Sequence, residues 1–371
     1  MFKYHNPSKI IFETGIIGDK KKLKKLIGEG EYCIFTYSDD IFTEYTNRLI
    51  EALGKPKLII NNILPNPDYK NLKDICDSFK KNCENIKYAI ALGGGSVIDT
   101  AKFLVLGKGN FEITTEFLEN KIKDLKATDI DLISIPTTAG TGSELTCWAT
   151  IWDERNQKKY SLFHPSLFSK LTIFDSKLTL SLPKKITIET SLDAMSHSFE
   201  SIWNINSNPV SNINARKSIN LILKNLPILV KDLKNIELRE KIMKASMFAG
   251  LAFSNTKTAI SHSISYPITL KYKIPHGIAC SFTLPIILKS VQGLDEVCDD
   301  NIKSLFSNFE EAPFQLKNFF KKLEISTDYK DYIGNANDWE LIVKEAFVGE
   351  RGKNFIGNYK RVLEAQEFLG N

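Results

Sequence analysis

The stretch AIALGGGSVIDTAKF, residues 89–103, decides the first half of the chain. Its apolar opening reads as a buried strand, its glycines 93–95 as a tight turn, and the run from Ser96 as a helix. Glycines let backbone amides approach an anion closely, and a helix N-terminus adds unpaired donors and the positive end of its dipole. Strand, glycine turn and helix in that order is the context a nucleotide pyrophosphate requires. Neither GxGxxG nor the P-loop GK[ST] is present, and a packing constraint on the turn is the competing explanation.

Outward from this turn, short apolar runs alternate with amphipathic ones. YCIFTY (32–37), KLIINN (57–62), YAIALGGG (88–95), LISIPT (132–137) and LTIFD (171–175) read as strands. IFTEYTNRLIEAL (41–53) and NLKDICDSFKKN (71–82) read as helices between them. This alternation predicts a parallel sheet covered on both faces. PTTAGTGSELT (136–146) follows the LISI strand directly, placing small and hydroxylated residues at a strand's carboxyl end, where open α/β sheets bind ligands.

After TLSLPKK (179–185) the texture changes. NARKSINLILKNLPILVKDL, REKIMKASMFAGLAF, PFQLKNFFKKL and DWELIVKEAF all carry helical periodicity, and strand signals almost vanish. Pro183 marks the hinge. The expected domains are 1–182, a Rossmann-like dinucleotide-binding α/β domain, and 183–371, an all-α domain.

Composition narrows the function. Hydrophobic content of 43% and charged content of 25% fit a globular chain, and 371 residues suggest two cores rather than one. The net charge of +5 is spread along the sequence. Lysine runs such as DKKKLKKL (19–26) have apolar residues at helical intervals and read as solvated helix faces, so no nucleic-acid partner is expected. No stretch has the length of a membrane span or the apolar core of a signal peptide, which predicts a cytoplasmic protein. The six cysteines (33, 76, 83, 147, 280, 298) form no CxxC and read as reduced, buried thiols and poor metal ligands.

Only five histidines occur: 5, 164, 197, 262 and 276. In SLDAMSHSFES (191–201), Asp193 and His197 stand four apart, on one helix face. Such a pair suits a solvated surface as well as a metal. SHSISYPITLKYKIPHG (261–277) adds His262 and His276 in an apolar, small-residue setting. Together they offer three nitrogens and one carboxylate for a divalent cation, although spacing alone does not bring them together.

These motifs resemble, in order and across essentially the whole chain, those of the iron-containing (group III, metal-dependent) alcohol dehydrogenases. ALGGGSVIDTAK looks like the family's pyrophosphate loop, PTTAGTGSELT like its second cofactor loop, and LDAMSHSFES with SHSISYP…IPHG like its metal motifs. The resemblance implies an N-terminal dinucleotide-binding domain, an all-α C-terminal domain and an active site between them. It implies NAD(H) or NADP(H) and a divalent metal, Fe²⁺ or Zn²⁺, held by Asp193, His197, His262 and His276. Gly94, Gly95, Ser96, Asp99, Thr137, Thr138, Thr141, Ser143 and Lys159 would hold the cofactor. Where many members carry a further histidine four residues after the third ligand, this chain has Tyr266, a candidate catalytic residue in place of a histidine relay.

CWATIWDERNQKKYSLFHP, SIWNINSNPVSN and GERGKNFIG resemble the branch that reduces phosphonoacetaldehyde to 2-hydroxyethylphosphonate in phosphonate biosynthesis. Arg155, Lys158, Lys159, Asn204, Asn206, Arg216 and Arg351 are candidates for contacting a phosphonate. His164 reads as a loop residue. The FTYSDDI turn leaves the choice between NAD and NADP to Tyr37, Ser38 or Asp39. The expectation is an NAD(P)H-dependent aldehyde reductase and homodimer. A reductase for another small aldehyde or alcohol, and a dehydroquinate synthase-like non-redox enzyme, are the alternatives.

Overall fold

The computed structural model describes residues 1–156 and 158–370. They form two compact units, Asn6–Ser181 and Leu182–Asn371, the second including Met1–His5. Among the described residues no helix is long and apolar enough to cross a membrane.

The first unit is built on a six-stranded parallel sheet, in the order β1-β8-β5-β4-β2-β3. The strands are β1 (Lys9–Phe12), β2 (Tyr32–Phe35), β3 (Leu58–Ile60), β4 (Tyr88–Gly93), β5 (Asp131–Pro136) and β8 (Leu171–Phe174). Strand alternation sends side chains into two separate cores. Ile34, Ile90 and Ile135 pack with Leu23 of α1 (Lys20–Ile27) and Leu49 of α2 (Asp40–Leu53). Phe35, Ala89 and Ala91 pack on the other face with Phe79 of α3 (Tyr69–Asn82), Leu104 of α4 (Gly95–Gly107) and Leu118 of α5 (Phe111–Leu118). Burial on both faces explains why these strands read as continuous apolar runs.

Two features escape the sequence pattern. Strand β1 is four residues long and only partly buried at the sheet edge. Strands β6 (Trp148–Asp153) and β7 (Lys158–Phe163) form an antiparallel hairpin. Its β7 strand is largely exposed, so its apolar signal is weak.

β4 lies between β2, whose chain continues outward to β3, and β5, which continues the other way. The crevice at the carboxyl ends of β2 and β4 is therefore the topological switch point, the preferred ligand position in such sheets. The glycine turn of residues 93–95 leaves β4 there.

The second unit is helical. Its central element is α6 (Lys184–Ile202), which begins after Pro183 and is buried without interruption from Ser191 to Ile202. Against it pack α7 (Pro209–Leu229), α8 (Ile236–Thr256), α9 (Ile260–Tyr272) and the single-turn α10 (His276–Ala279). The approach of α10 explains Gly277: a Cβ there would lie 1.9 Å from the Glu189 carbonyl oxygen. Ser196 Oγ closes the same contact by donating to the Cys280 carbonyl at 2.7 Å. Further helices run from Leu284 to Phe368.

Candidate metal centre and cofactor cradle

In the helical unit four sequence-predicted side chains meet around one oxygen. Asp193 Oδ1 lies 3.7 Å from His197 Nε2, 3.4 Å from His262 Nε2 and 4.0 Å from His276 Nε2. Helix α6 supplies the first two one turn apart, α9 supplies His262, and α10 supplies His276. The His197 ring is sandwiched by stacking, on Phe253 at 4.0 Å and on His262 at 4.5 Å. The i,i+4 pair of SLDAMSHSFES is thus buried, and the surface reading of it falls.

Asp193, His197 and His262 are each 5% exposed or less, too dry for a carboxylate and imidazoles without mutual compensation. Burial alone would raise the Asp193 pKa, but His197, His262 and His276 together hold it well below the usual carboxylate range. His262 Nε2 is buried without a formed hydrogen bond, facing Asp193. A buried imidazole nitrogen aimed at an ionised carboxylate, with two more imidazoles alongside, fits a divalent cation.

Two residues that sequence reasoning missed complete the cluster. Glu200, fully buried, accepts from His262 twice: its Oε2 is 2.6 Å from the ring Nδ1 and its Oε1 is 3.0 Å from the backbone N–H. Burial opposes its charge, yet His262 holds its pKa below the ordinary value. The Nδ1 contact leaves Nε2 as the atom that faces Asp193, the usual carboxylate–histidine device of metal sites. Residues 193, 197 and 200 are spaced i, i+4, i+7 on one stripe of α6, and that periodicity is the signal that finds Glu200.

Cys280 corrects the expectation that the cysteines stand apart from metal chemistry. Its Sγ lies 3.5 Å from Asp193 Oδ1, and Asp193, His262, His276 and Cys280 form a group with ligand atoms all within 4.8 Å. Burial first, and Asp193 second, push this thiol well above its ordinary pKa, so it is a neutral donor to Asp193. Its place one turn beyond His276 is visible in the sequence; its arrival beside Asp193 depends on α10 folding back on α6.

Tyr266 lies on α9 one turn beyond His262, its ring parallel to that of His276 at 6.3 Å between centroids. Burial lifts its phenol to about 12, so it keeps its proton at neutral pH. The Arg351 guanidinium sits over the same ring at 4.7 Å.

In the sheet unit the two polar loops adjoin. The Thr137 N–H donates to the Gly93 carbonyl at 3.0 Å. A Cβ on Gly94 would come within 3.2 Å of Thr138, and one on Gly95 within 2.8 Å of Thr141 Oγ1. Helix α4 begins at Gly95 without a side-chain cap. Open amides of a helix start, bordered by threonines and free of Cβ bulk, make a cradle suited to a pyrophosphate. Ser96 Oγ accepts the Asn66 N–H at 3.1 Å, tying in a further loop.

Asp99 and Ser143 are engaged beneath this surface. Asp99 accepts from Ser143 Oγ at 2.5 Å and from the Thr150 N–H at 2.9 Å. Lys102, fully buried, donates to the carbonyls of Ser143, Thr146 and Trp148 at 2.6, 2.8 and 2.7 Å, and to Ser143 Oγ at 3.1 Å. Its ammonium thus bolts the second cofactor loop and the β6 strand to α4, although burial lowers its pKa to about 8. Lys102→Met removes the ammonium from three carbonyls at once, of which Ser143 keeps the Thr146 N–H and hydroxyl as donors at 3.3 Å. An expected loss on the order of 3 kcal/mol follows, readable by chemical denaturation. Lys159, on β7, lies over the Trp152 ring at 5.0 Å. Burial raises the Asp99 pKa above the ordinary carboxylate value, against the opposing pull of Lys102 first and Lys159 last.

The remaining candidates separate. Arg155 is exposed in the turn before β7 and Lys158 is exposed at its start. Asn204 and Asn206 spend their amides on the Lys257 and Thr256 carbonyls, at 3.3 and 3.4 Å. Arg216 lies on α7. His164 caps a single turn: Nδ1 meets Ser166 Oγ at 2.7 Å and Nε2 meets the Leu125 carbonyl at 3.1 Å.

The buried three-imidazole, one-carboxylate cluster of the helical unit fits a divalent cation, and the glycine–threonine cradle on the parallel sheet fits a pyrophosphate. Residues 7–176 match the iron-containing alcohol dehydrogenase family and residues 187–366 match the Fe-containing alcohol dehydrogenase family, C-terminal. The chain belongs to the iron-containing alcohol dehydrogenase family. It is 28% identical over 361 residues to the NAD-dependent methanol dehydrogenase of Bacillus methanolicus, covering 94% of this chain and 93% of that protein. It is also 28% identical over 296 residues to the sulfoacetaldehyde reductase of Bilophila wadsworthia, covering 76% of this chain and 74% of that protein. Among solved structures, sulfoacetaldehyde reductase from Bifidobacterium kashiwanohense in complex with NAD⁺ superposes with a TM-score of 0.89 at 25% identity, over 100% of this chain and 98% of that one.

Proposed function

We propose that this chain reduces a short aldehyde to a primary alcohol with NADH, and that phosphonoacetaldehyde, giving 2-hydroxyethylphosphonate, is its substrate. The observation that carries the reaction class is the buried Asp193, His197, His262 and His276 cluster. These four are the proposed metal ligands. A divalent cation bound there supplies Lewis-acid polarisation of the substrate carbonyl. Bound NADH would supply hydride to the carbonyl carbon and be left as NAD⁺, with a solvent proton completing the alcohol.

The protein's own groups orient these partners. Gly94, Gly95 and Ser96 present the α4 amides to the pyrophosphate, with Thr137, Thr138 and Thr141 alongside. Asp99 and Ser143 shape the loop from below, and Lys159 would be the contact for the nicotinamide ribose. The Tyr266 phenol, protonated at neutral pH, donates a hydrogen bond near the substrate.

NADH over NADPH rests on Asp39, exposed at the α2 N-cap just past β2, its side chain making no cap bond. A carboxylate at that place accepts from ribose hydroxyls and repels a 2′-phosphate. Phosphonoacetaldehyde rests on the branch-like stretches and on the sulfoacetaldehyde reductases among the relatives, whose named substrate is the sulfonate counterpart.

The test is a comparison of NADH with NADPH, each with phosphonoacetaldehyde and with acetaldehyde, on metal-loaded protein. NADH is expected to lead by at least about tenfold in kcat/KM, given one carboxylate facing the 2′-position. Equal kcat/KM for the two aldehydes overturns the phosphonate assignment.

A further inference from the structure

We infer that Arg351 is the anchor for a tetrahedral oxyanion, phosphonate or sulfonate, on the far end of the aldehyde. The inference rests on the aldehyde-reductase reading above and narrows it to anionic substrates.

The turn that carries Arg351 is held unusually firmly for a connection between helices. It follows the helix Ala336–Val348 and enters a short 3-10 turn at Gly352–Asn354. Asn354 Nδ2 donates to the Thr258 carbonyl at 2.8 Å, and the Ile205 N–H donates to the Asn354 carbonyl at 2.8 Å. The Ile356 N–H reaches the Trp203 carbonyl at 3.3 Å, so Asn204 and Phe355 face each other across an isolated bridge. Gly352 allows the turn to tuck against its own helix, since a Cβ there would lie 2.1 Å from the Ala346 carbonyl oxygen. Three segments are thereby locked together: the exit of α6, the entry to α9, and the Arg351 turn. The first two flank the helices that carry the metal-ligand candidates.

What this framework holds is a cation. Arg351 Nε donates to Thr258 Oγ1 at 2.9 Å, and the guanidinium plane lies over Tyr266. Tyr266 in turn faces His276, so one aromatic ring separates the guanidinium from the metal cluster. Among the described residues no carboxylate pairs with Arg351, and Thr258 is its one hydrogen-bond acceptor. Glu350, next to it in the chain, pairs with Lys353 at 3.4 Å, and the carboxylates of the cluster are committed too, Asp193 to three imidazoles and Glu200 to His262.

A half-buried guanidinium, fixed at Nε and left without a counter-anion, has its two terminal nitrogens to offer. Their planar fork matches two oxygens of a phosphonate or sulfonate, and charge-assisted bonds of that kind are about twice as strong as neutral ones. Of the other cationic candidates, Arg155 and Lys158 are exposed in the sheet unit, Lys159 lies over the Trp152 ring, and Arg216 lies on α7 with its Nε buried. Arg351 is joined to the histidine cluster through the Tyr266 ring.

The experiment measures kcat/KM with NADH for phosphonoacetaldehyde, sulfoacetaldehyde and acetaldehyde, in metal-loaded wild type, R351Q and R351K. R351Q is expected to lose about 100-fold on the anionic aldehydes, and R351K about tenfold because the charge survives without the fork. Acetaldehyde turnover is expected to fall by no more than about threefold, which also reports that both variants are folded. The ratio of the two anionic losses in R351Q separates a phosphonate site from a sulfonate site. A loss of the same size on acetaldehyde overturns the anchor in favour of a structural role. An R351Q enzyme that keeps the wild-type preference for anionic aldehydes overturns it as well. A wild type without any such preference instead refutes the substrate reading on which the anchor depends.

Discussion

His262→Ala is expected to cost metal retention and turnover together. The His262 ring occupies the centre of the cluster: its Nε2 faces Asp193 at 3.4 Å, one face stacks on His197, and its Nδ1 is pinned by Glu200. Alanine removes a proposed ligand, and it also strands Glu200, fully buried, without its imidazole. Structural binding energies of about 10–16 kcal/mol for four-ligand sites apportion to roughly 3 kcal/mol per ligand, on the order of 100- to 1,000-fold in affinity. Stranding a buried carboxylate adds a stability loss of about 3 kcal/mol. Metal content after dialysis, the melting temperature and the rate with aldehyde and NADH are measured on the same preparation. His262→Gln, which retains a polar side chain of similar reach, separates the two effects. It is expected to melt closer to wild type and still to lose metal. An active, metal-free variant of either kind would remove the metal from the mechanism.

Why some of this site is legible in the chain and some is not comes down to the range of the interactions. The sheet strands announce themselves because both faces are buried, so Tyr32–Phe35 and Tyr88–Gly93 are apolar throughout. The glycine turn shows because close approach to Thr138 and Thr141 excludes side chains at 94 and 95. Asp193 and His197 show because one helical turn couples them. The hairpin of β6 and β7 is hidden, since Leu162 alone is buried within Lys158–Phe163 and the strand is fixed by its pairing with Trp148–Asp153. Cys280 is hidden for a different reason. Its place one turn beyond His276 is local, but only the return of α10 to α6 sets its sulfur beside Asp193. Arg351 is one of seven candidates in the sequence, and what sets it apart is long-range: Thr258 and Tyr266, some ninety positions earlier, are placed next to it only by the fold.

Glu200 is the residue through which helix α6 controls a ligand it does not carry. It touches no open coordination space; both of its oxygens are taken by His262, at the ring Nδ1 and at the backbone N–H. Removing it should therefore leave the ligand set intact and weaken it by disorder. Outer partners of this kind are worth about 10- to 100-fold in metal affinity. Glu200→Ala, which leaves a buried imidazole N–H unpaired and a void behind it, is expected near the upper end of that range. Glu200→Gln keeps one acceptor for the ring but turns an amide N–H₂ toward the His262 backbone N–H, and is expected near the lower end. Chelator competition with Zn²⁺ reads the affinity directly, and the visible absorption of the Co²⁺-loaded protein reads the ligand geometry without any turnover. A purely structural role for Glu200 would lower the melting temperature while leaving the Co²⁺ spectrum and the chelator-derived affinity of the folded protein at wild-type values. A positioning role shifts the spectrum and the affinity even under conditions where both variants are fully folded, because the His262 ring has lost the contact that aims its Nε2 at Asp193.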